Sequence, residues 1–159
     1  MVNQMDQRDF IQQAIQLALE NVQQGGGPFG ALVVKDGQVI ATGVNRVTAT
    51  SDPTAHAEIV AIRQACQALD HFELTGCEIY CSCEPCPMCL GAIYWARPER
   101  VFFAATAAAA ADAGFDDTFI KQQITRPVQS QELPISQVVH AQALQPFVAW
   151  KAKPDKITY

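Results

Sequence analysis

The segment Ser82–Cys89, which reads SCEPCPMC, constrains the fold of this chain more than any other stretch. Three of its cysteines follow one another at intervals of three residues, with Pro85 and Pro87 between them. Four of the chain's six cysteines lie between positions 81 and 89, where disulfides would close only very short loops. Such crowding favours metal binding in a reducing compartment over a secreted disulfide framework.

Length and composition predict one globular domain around this segment. The chain has 159 residues, of which 49% are hydrophobic, which is enough for a single core. Neither a basic leader followed by an apolar stretch nor a run long enough to span a bilayer is present. We therefore expect a soluble, cytoplasmic protein with one domain over 1–159, of which 152–159 form a C-terminal tail. The net charge of −5 and the scattered Lys and Arg argue against a nucleic-acid partner, and no membrane partner is expected.

Helical and strand patterns alternate along the chain. Apolar periodicity predicts helices at Asp9–Gln23, Pro53–Leu69, Leu90–Ala96, Phe115–Ile124 and Pro146–Lys151, with a helical tendency in Ala107–Ala111. Strands are predicted for ALVVK, QVIATG, CEIYCS, VFFAA and QVVHA, the fourth of them buried. The dipeptide Asp36-Gly37 joins the first two strands in a tight hairpin, and Asp52 or Thr54 caps the helix from Pro53. The order predicts a three-layer α/β fold with a mixed, roughly five-stranded sheet.

Cys86 and Cys89 have the spacing of two ligands to one metal ion. We predict that Cys83 closes the preceding strand and that Pro85 ends the extended segment. Cys86 and Cys89 then share one face of the first turn of the next helix, where the helix dipole stabilises thiolates. A zinc ion needs a further ligand, which we assign to His56 at the start of another predicted helix. Three protein ligands leave the fourth tetrahedral position for water, an arrangement typical of catalytic zinc.

Two paired motifs carry a resemblance to a known superfamily. His56-Ala57-Glu58 and Pro85-Cys86-Pro87-Met88-Cys89 resemble the H-x-E and P-C-x-x-C signature of the cytidine-deaminase-like zinc deaminases. The segments GGPFGALVVKDG, DPTAHAE, SCEPCPMCLGAIYWARP and AGFDDTFI extend the resemblance to the small bacterial guanine deaminases over most of the chain. The resemblance implies a three-layer α/β/α cytidine-deaminase-like fold and one Zn²⁺ per chain. It also implies hydrolytic deamination of guanine at C2 to xanthine and ammonia, with Glu58 moving the protons.

The same resemblance assigns the contacts of the purine base. It implies that Asn45 hydrogen-bonds the purine and that Asp117 contacts the guanine edge or assists proton movement. Phe29 and Trp95 would supply apolar walls, and Tyr159 would cap the substrate in its own or in a neighbouring subunit. Each residue also has a structural interpretation, as a turn former, a helix cap, a packed core side chain or part of a disordered tail. We expect a homodimer, the commonest closed assembly.

Other functions stay open at the level of the sequence. A tRNA adenosine deaminase shares DPTAHAE and EPCPMC, but it needs phosphate-contacting cations that this acidic chain offers poorly. The Ala107–Ala111 run departs from the more polar guanine-deaminase pattern near Asp117. A non-catalytic zinc-stapled binding module would use Cys83 as a fourth ligand and leave Glu58 on the surface. A thiol redox protein would use Cys86-x-x-Cys89.

Overall fold

A mixed four-stranded sheet forms the centre of the first of two compact units in the chain. The structure, a computed structural model, describes residues 6–159. The first unit ends at Asp117, and the second comprises Thr118–Tyr159. The strands are Gly30–Lys35 (β1), Gln38–Val44 (β2), Cys77–Cys83 (β3) and Arg100–Ala105 (β4), in the spatial order β2-β1-β3-β4. β1 pairs antiparallel with β2 and β3, whereas β3 and β4 are parallel.

Seven helices are found within residues 6–159. They are Gln7–Gln23 (α1), Val47–Thr50 (α2), Ala57–Leu69 (α3), Pro87–Ala96 (α4), Ala107–Asp112 (α5), Thr118–Ile124 (α6) and Gln145–Ala152 (α7), with a short 3-10 turn at Val128–Ser130. None of these helices combines the length and the apolar character that crossing a membrane requires. The parallel pair β3 and β4 is joined through α4, as parallel strands need a crossover connection.

Alternate residues of β1 serve two different layers of the first unit. Leu32 and Val34 pack in the cluster that α1 covers, and Ala31 and Val33 pack in the cluster that α3 and α4 cover. The α1 cluster contains the buried residues Phe10, Ala14, Leu32, Val34 and Tyr80. Successive side chains of a strand point to opposite faces, so a strand buried on both faces requires a helix layer on each side. The predicted three-layer α/β architecture and the Asp36-Gly37 hairpin are confirmed.

The predicted fifth strand, QVVHA, is wrong, and the described chain has a sheet of four strands. Residues 137–141 form no strand, and Val138 and Val139 are 85% and 87% exposed. A short run of β-branched residues has strand propensity, but a strand forms only where a neighbour supplies hydrogen bonds. The prediction that VFFAA is buried is also wrong, because β4 is the last strand of the sheet in the described chain and Phe103 is 48% exposed.

The predicted helix start at Pro53 is wrong as well, and the true start bears on the site. α3 begins at Ala57, with His56 as its N-cap in extended backbone conformation. Asp52 does not cap this helix; its carboxylate accepts hydrogen bonds from the backbone N–H and the hydroxyl of Thr54. The Asp52 carboxylate is therefore occupied in a local turn before the helix begins. Such turns compete with helix capping for Asp side chains.

The single domain over 1–159 with a tail from 152 stays a prediction. Residues 1–5 lie outside the described residues, and α7 ends at Ala152. Residues 153–159 contain no helix or strand.

Gly43 allows α3 to lie directly against β2. A Cβ atom at position 43 would lie 2.1 Å from the carbonyl oxygen of Ala57 and 2.6 Å from the amide nitrogen of Ala61. Both atoms belong to the helix backbone, so relief would require α3 to move away from the sheet. The close contact therefore fixes the first turn of α3, which follows His56.

We expect Gly43→Ala to lower the free energy of unfolding by about 2 kcal/mol or more, as overpacking does. Gly91→Ala is the matched control, because in the described chain no atom other than those of its chain neighbours and its own helix backbone lies within 4 Å of a Cβ at this position. The control is expected to gain about 0.5–1 kcal/mol from the lower backbone entropy of Ala. Urea unfolding measures both variants, and equal stability of Gly43→Ala and the parent chain would contradict the assigned role of Gly43.

Candidate active site

Three metal-binding side chains converge where α3 and α4 begin. His56 is the N-cap of α3, Cys86 is the N-cap of α4, and Cys89 lies in the first turn of α4. The His56 Nδ1 atom lies 3.5 Å from the sulfur of Cys86 and 3.5 Å from that of Cys89. The ligand atoms of the three residues all lie within 4.8 Å of one another. The structure thus brings together the three residues that the sequence analysis selected as ligands.

The distances between these donor atoms fit a zinc ion. Tetrahedral bonds of about 2.3 Å to sulfur and about 2.0–2.1 Å to nitrogen separate the two donor atoms by about 3.6 Å. The observed separation of 3.5 Å is close to this value. One imidazole and two thiolates form a donor set that zinc prefers, and three protein ligands are typical of its catalytic sites.

Electrostatics at the cluster favour a thiolate. The hydrogen bond from the Cys89 thiol, with a further contribution from His56, lowers the pKa of Cys86 to about 4. The pKa of Cys89 rises, first because its thiol donates to the Cys86 thiolate and then because of burial. The hydrogen bond with Cys86 also raises the pKa of His56. Metal binding releases the protons of such ligands, so affinity for a metal will fall at low pH.

Glu58 places a buried carboxyl group beside the three ligands. It is the second residue of α3, and only 8% of its surface is exposed. Burial raises the pKa of this carboxyl group, and a hydrogen bond with the Cys89 thiol partly offsets the rise. A carboxyl group with a raised pKa both accepts and returns a proton readily near neutral pH. Glu58 is therefore not the surface residue that a non-catalytic binding module would have.

Asn45 and Phe29 lie on two neighbouring segments of the first unit. The Asn45 backbone N–H donates to the Phe29 carbonyl oxygen at 3.2 Å. The Asn45 side-chain oxygen accepts a hydrogen bond from the Val47 backbone N–H, also at 3.2 Å. The half-buried Phe29 ring meets Phe115 edge to face, with 5.0 Å between ring centroids.

Asp117 lies at the end of the loop that follows α5, and its carboxylate acts electrostatically on the Cys83 thiol. Burial raises the pKa of the Cys83 thiol, and the carboxylates of Glu58 and Asp117 contribute to the rise. Both carboxylates are therefore close enough to Cys83 to act on it electrostatically. The Cys83 thiol itself donates to the Thr106 carbonyl oxygen at 3.7 Å. Within residues 6–159 the metal-binding group comprises His56, Cys86 and Cys89 without Cys83.

Two predicted substrate contacts lie in more exposed positions. Trp95 is on α4, six residues after Cys89, and 64% of its surface is exposed. Tyr159 belongs to the second unit and is 71% exposed. A groove of about 380 Å³ beside Phe29, Cys83 and Phe115 is lined almost entirely by apolar atoms. The groove therefore offers apolar contact surface but does not supply the hydrogen bonds that a nucleobase needs.

The sequence analysis missed two polar residues, Glu84 and Asn21, whose side chains hydrogen-bond the loops near the site. Glu84 accepts a hydrogen bond from the Ala107 backbone N–H at 3.0 Å and thereby joins the cysteine turn to the start of α5. Asn21, on α1, donates to the carbonyl oxygens of Gly27 and Asn45. Asn21 continues the buried stripe of α1 at helical spacing after Ala18, and a polar residue on an apolar stripe is a signal that could have revealed it.

The chain is similar in sequence and in structure to known deaminases. Residues 4–105 match the family described as cytidine and deoxycytidylate deaminase zinc-binding region. The chain is 53% identical to a guanine deaminase of Bacillus subtilis over 156 residues, which cover 98% of this chain and all of that protein. The crystal structure of the Bacillus subtilis guanine deaminase superposes with a TM-score of 0.96 at 52% identity, over 98% of this chain and 99% of that chain. A tRNA-specific adenosine deaminase of Aquifex aeolicus is 42% identical over 64% of this chain and 67% of that protein.

A pair of serine substitutions tests which thiols bind the metal. We expect Cys86→Ser to reduce bound zinc from one per chain to below about one tenth, since losing one of three ligands abolishes most of the affinity. Cys83→Ser is the matched control and should retain one zinc per chain, because Cys83 lies outside the metal-binding group. Zinc measured by atomic spectrometry decides the question. Loss of zinc from the Cys83 variant would support a closed site with four protein ligands.

Proposed function

We propose that this chain, which belongs to the family described as the cytidine and deoxycytidylate deaminase zinc-binding region, is a zinc-dependent guanine deaminase. The reaction converts guanine and water to xanthine and ammonia. The observation that carries the chemistry is the cluster of His56, Cys86 and Cys89 with the buried Glu58 beside it. The choice of guanine is supported by similarity to a guanine deaminase along nearly the whole chain.

Glu58 is proposed as the general acid and base of the reaction. When bound by His56, Cys86 and Cys89, zinc supplies a Lewis acid that lowers the pKa of a water ligand toward about 7. The Glu58 carboxylate takes a proton from the attacking water and delivers it to a ring nitrogen next to C2. Glu58 then takes the second proton of the former water from the new C2 hydroxyl and passes it to the C2 amino group. The C2–N bond breaks as the C2=O bond of xanthine forms, ammonia leaves, and Glu58 ends in its initial state.

Asn45 and Asp117 are proposed to orient the purine. The oxygen of the Asn45 amide is held by the Val47 N–H, so its NH₂ group is the part directed to an acceptor on the purine. A carboxylate such as Asp117 accepts hydrogen bonds from the N–H groups along the guanine edge. The shared electrostatic influence of Asp117 and Glu58 on Cys83 supports a place for Asp117 at the site.

Phe29 and Trp95 are proposed as the apolar walls that contact the faces of the base. Phe29 has the stronger support, because its ring is held edge to face against Phe115 in the loop that leads to Asp117. Trp95 is largely exposed, which suits an outer wall. Aromatic rings stack on nucleobases with favourable energy, while hydrogen bonds decide which base is accepted.

A free base is favoured over tRNA as the substrate. The guanine deaminase similarity extends over 98% of the chain, whereas the tRNA deaminase similarity covers 64%. A net charge of −5 disfavours a polyanionic partner, so we propose that no nucleic acid is bound. The cysteines described by the structure are all free thiols, which supports the cytoplasm as the location.

The first test is ammonia release from the zinc-loaded protein with guanine, adenine, cytosine, cytidine and guanosine in parallel. We expect guanine alone to be turned over efficiently, and Glu58→Gln to lower kcat by about 10²- to 10⁴-fold at unchanged zinc content, because proton transfer is lost. Glu99→Gln, an exposed substitution of the same kind, is the control and should keep full activity. Silence on all five substrates with zinc bound would contradict the proposed function.

We further propose that the protein is a homodimer in which Tyr159 caps the substrate of the neighbouring subunit. Leu90, Tyr94 and Trp95 expose 45%, 76% and 64% of their surfaces on α4, and an apolar helix face of this kind is typical of a subunit contact. Tyr159 exposes 71% of its surface, so an aromatic face is accessible to a neighbouring subunit.

Subunit mixing distinguishes the possible locations of the tail. A chain lacking residues 157–159 is expected to lose at least about tenfold in kcat/KM for guanine, since a cap contributes binding energy. Refolding it together with full-length Glu58→Gln should restore activity, because the mixed dimer pairs an intact site with an intact tail from the other subunit. No restoration would place the tail over its own subunit's site, and an unimpaired truncated chain would exclude the cap altogether.

A further inference from the structure

The buried side chain of Asn21 joins two segments that carry proposed substrate contacts. Its NH₂ group donates one hydrogen bond to the Gly27 carbonyl oxygen at 2.8 Å and another to the Asn45 carbonyl oxygen at 2.9 Å. Only 9% of the residue is exposed. Both protons of the amide are thus used, and they hold the loop after α1 to the segment after β2.

The loop after α1 packs closely around this amide. The Gly26 N–H donates to the Asn21 carbonyl oxygen at 2.8 Å. A Cβ atom at Gly26 would lie 2.4 to 2.6 Å from the side-chain atoms of Asn21, and one at Gly27 would lie 3.0 Å from the Asn45 side chain. The two glycines therefore let the chain pass between Asn21 and Asn45 with no room for a side chain.

The hydrogen bonds of Asn21 connect the segments that carry Phe29 and Asn45, the two proposed purine contacts. Phe29 lies two residues after Gly27, and its carbonyl oxygen accepts the Asn45 N–H. Asn21 consequently restrains Asn45 through its carbonyl group, while Phe29 restrains Asn45 through its N–H. Because the Asn45 side-chain oxygen accepts the Val47 N–H, the NH₂ group of Asn45 is the part directed to a ligand.

We propose that Asn21 is a positioning residue for guanine binding, which it serves by fixing Asn45 and Phe29 relative to one another. The inference rests on the proposed guanine deaminase activity. Asn21 lies on α1, on the opposite face of the sheet from α3 and α4, which carry the metal ligands and Glu58. A change at Asn21 is therefore expected to weaken substrate binding and to leave the zinc site and proton transfer intact.

Asn21→Asp is the sharpest test, because it keeps the shape of the side chain and replaces both N–H donors with an oxygen that repels the two carbonyl groups. We expect the KM for guanine to rise about tenfold or more and kcat to stay within about threefold of the parent enzyme, since only binding contacts are displaced. Zinc content should remain one per chain. Gln12→Glu adds the same charge on the exposed face of α1 and should leave KM unchanged.

Asn21→Ala is a second variant that removes the donors without adding charge, and it decides the question if the Asp variant fails to fold. A rise in KM of about threefold or more with kcat retained would support the inference, as loss of binding contacts does. An unchanged KM, or a loss confined to kcat or accompanied by loss of zinc, would overturn it.

Hydrogen exchange separates this inference from the proposed function. The Val47 amide is held by the Asn45 side chain, so its protection should fall in the Asn21 variants if Asn21 positions Asn45. Unchanged protection of Val47 would refute the positioning role even if the parent enzyme is fully active. Absence of guanine turnover by the parent chain would instead refute the proposed function, whatever the exchange data show.

Discussion

A metal site made of one imidazole and two thiolates requires the first turns of α3 and α4 to lie side by side. In both helices the N-cap residue, His56 or Cys86, makes no capping hydrogen bond with its side chain. Such positions usually hold Ser, Thr, Asp or Asn, whose side chains stabilise the helix by about 1 kcal/mol. Here the N-cap side chains face each other instead. The two helices forgo the stabilisation of a capping hydrogen bond, and the side chains are left to bind a metal ion. The contact of Gly43 with the backbone of α3 keeps this arrangement close to the sheet.

The position of Glu58 follows from the same arrangement. Extended backbone at His56 directs the imidazole toward Cys86, whereas Glu58, two residues later, already belongs to the helix. Residues two apart on a regular helix point in different directions, so the two side chains can serve one site only across the helix start. Burial then raises the pKa of Glu58, which makes a carboxyl group fit for proton transfer near neutral pH. The location of the helix boundary thus determines which side chains can take part in the proposed chemistry.

Much of the fold and of the metal cluster could be predicted because the signals are local. The Asp36-Gly37 hairpin and the Cys86–Cys89 spacing each depend on a few adjacent residues. The start of α3 could not be predicted, because Asp52 engages Thr54 in a turn and leaves His56 as the cap. The strand assigned to QVVHA failed because strand formation needs a partner that propensity does not supply. Asn21 was missed because its partners lie in loops, where periodicity gives no information about contacts.

The proposed metal ligands and the proposed purine contacts lie on different parts of the first unit. The proposed ligands and Glu58 lie on α3 and α4, and the region that matches the zinc-binding family ends with β4. Asn45 is held by α1, and Asp117 lies beyond β4, past α5. With the proposed contacts, changes at Asn45 or Asp117 would alter the accepted base without moving the metal ligands. The similarity to the guanine deaminase covers 98% of the chain and that to the tRNA-specific adenosine deaminase 64%, which is compatible with a shared metal site and separately varied substrate contacts.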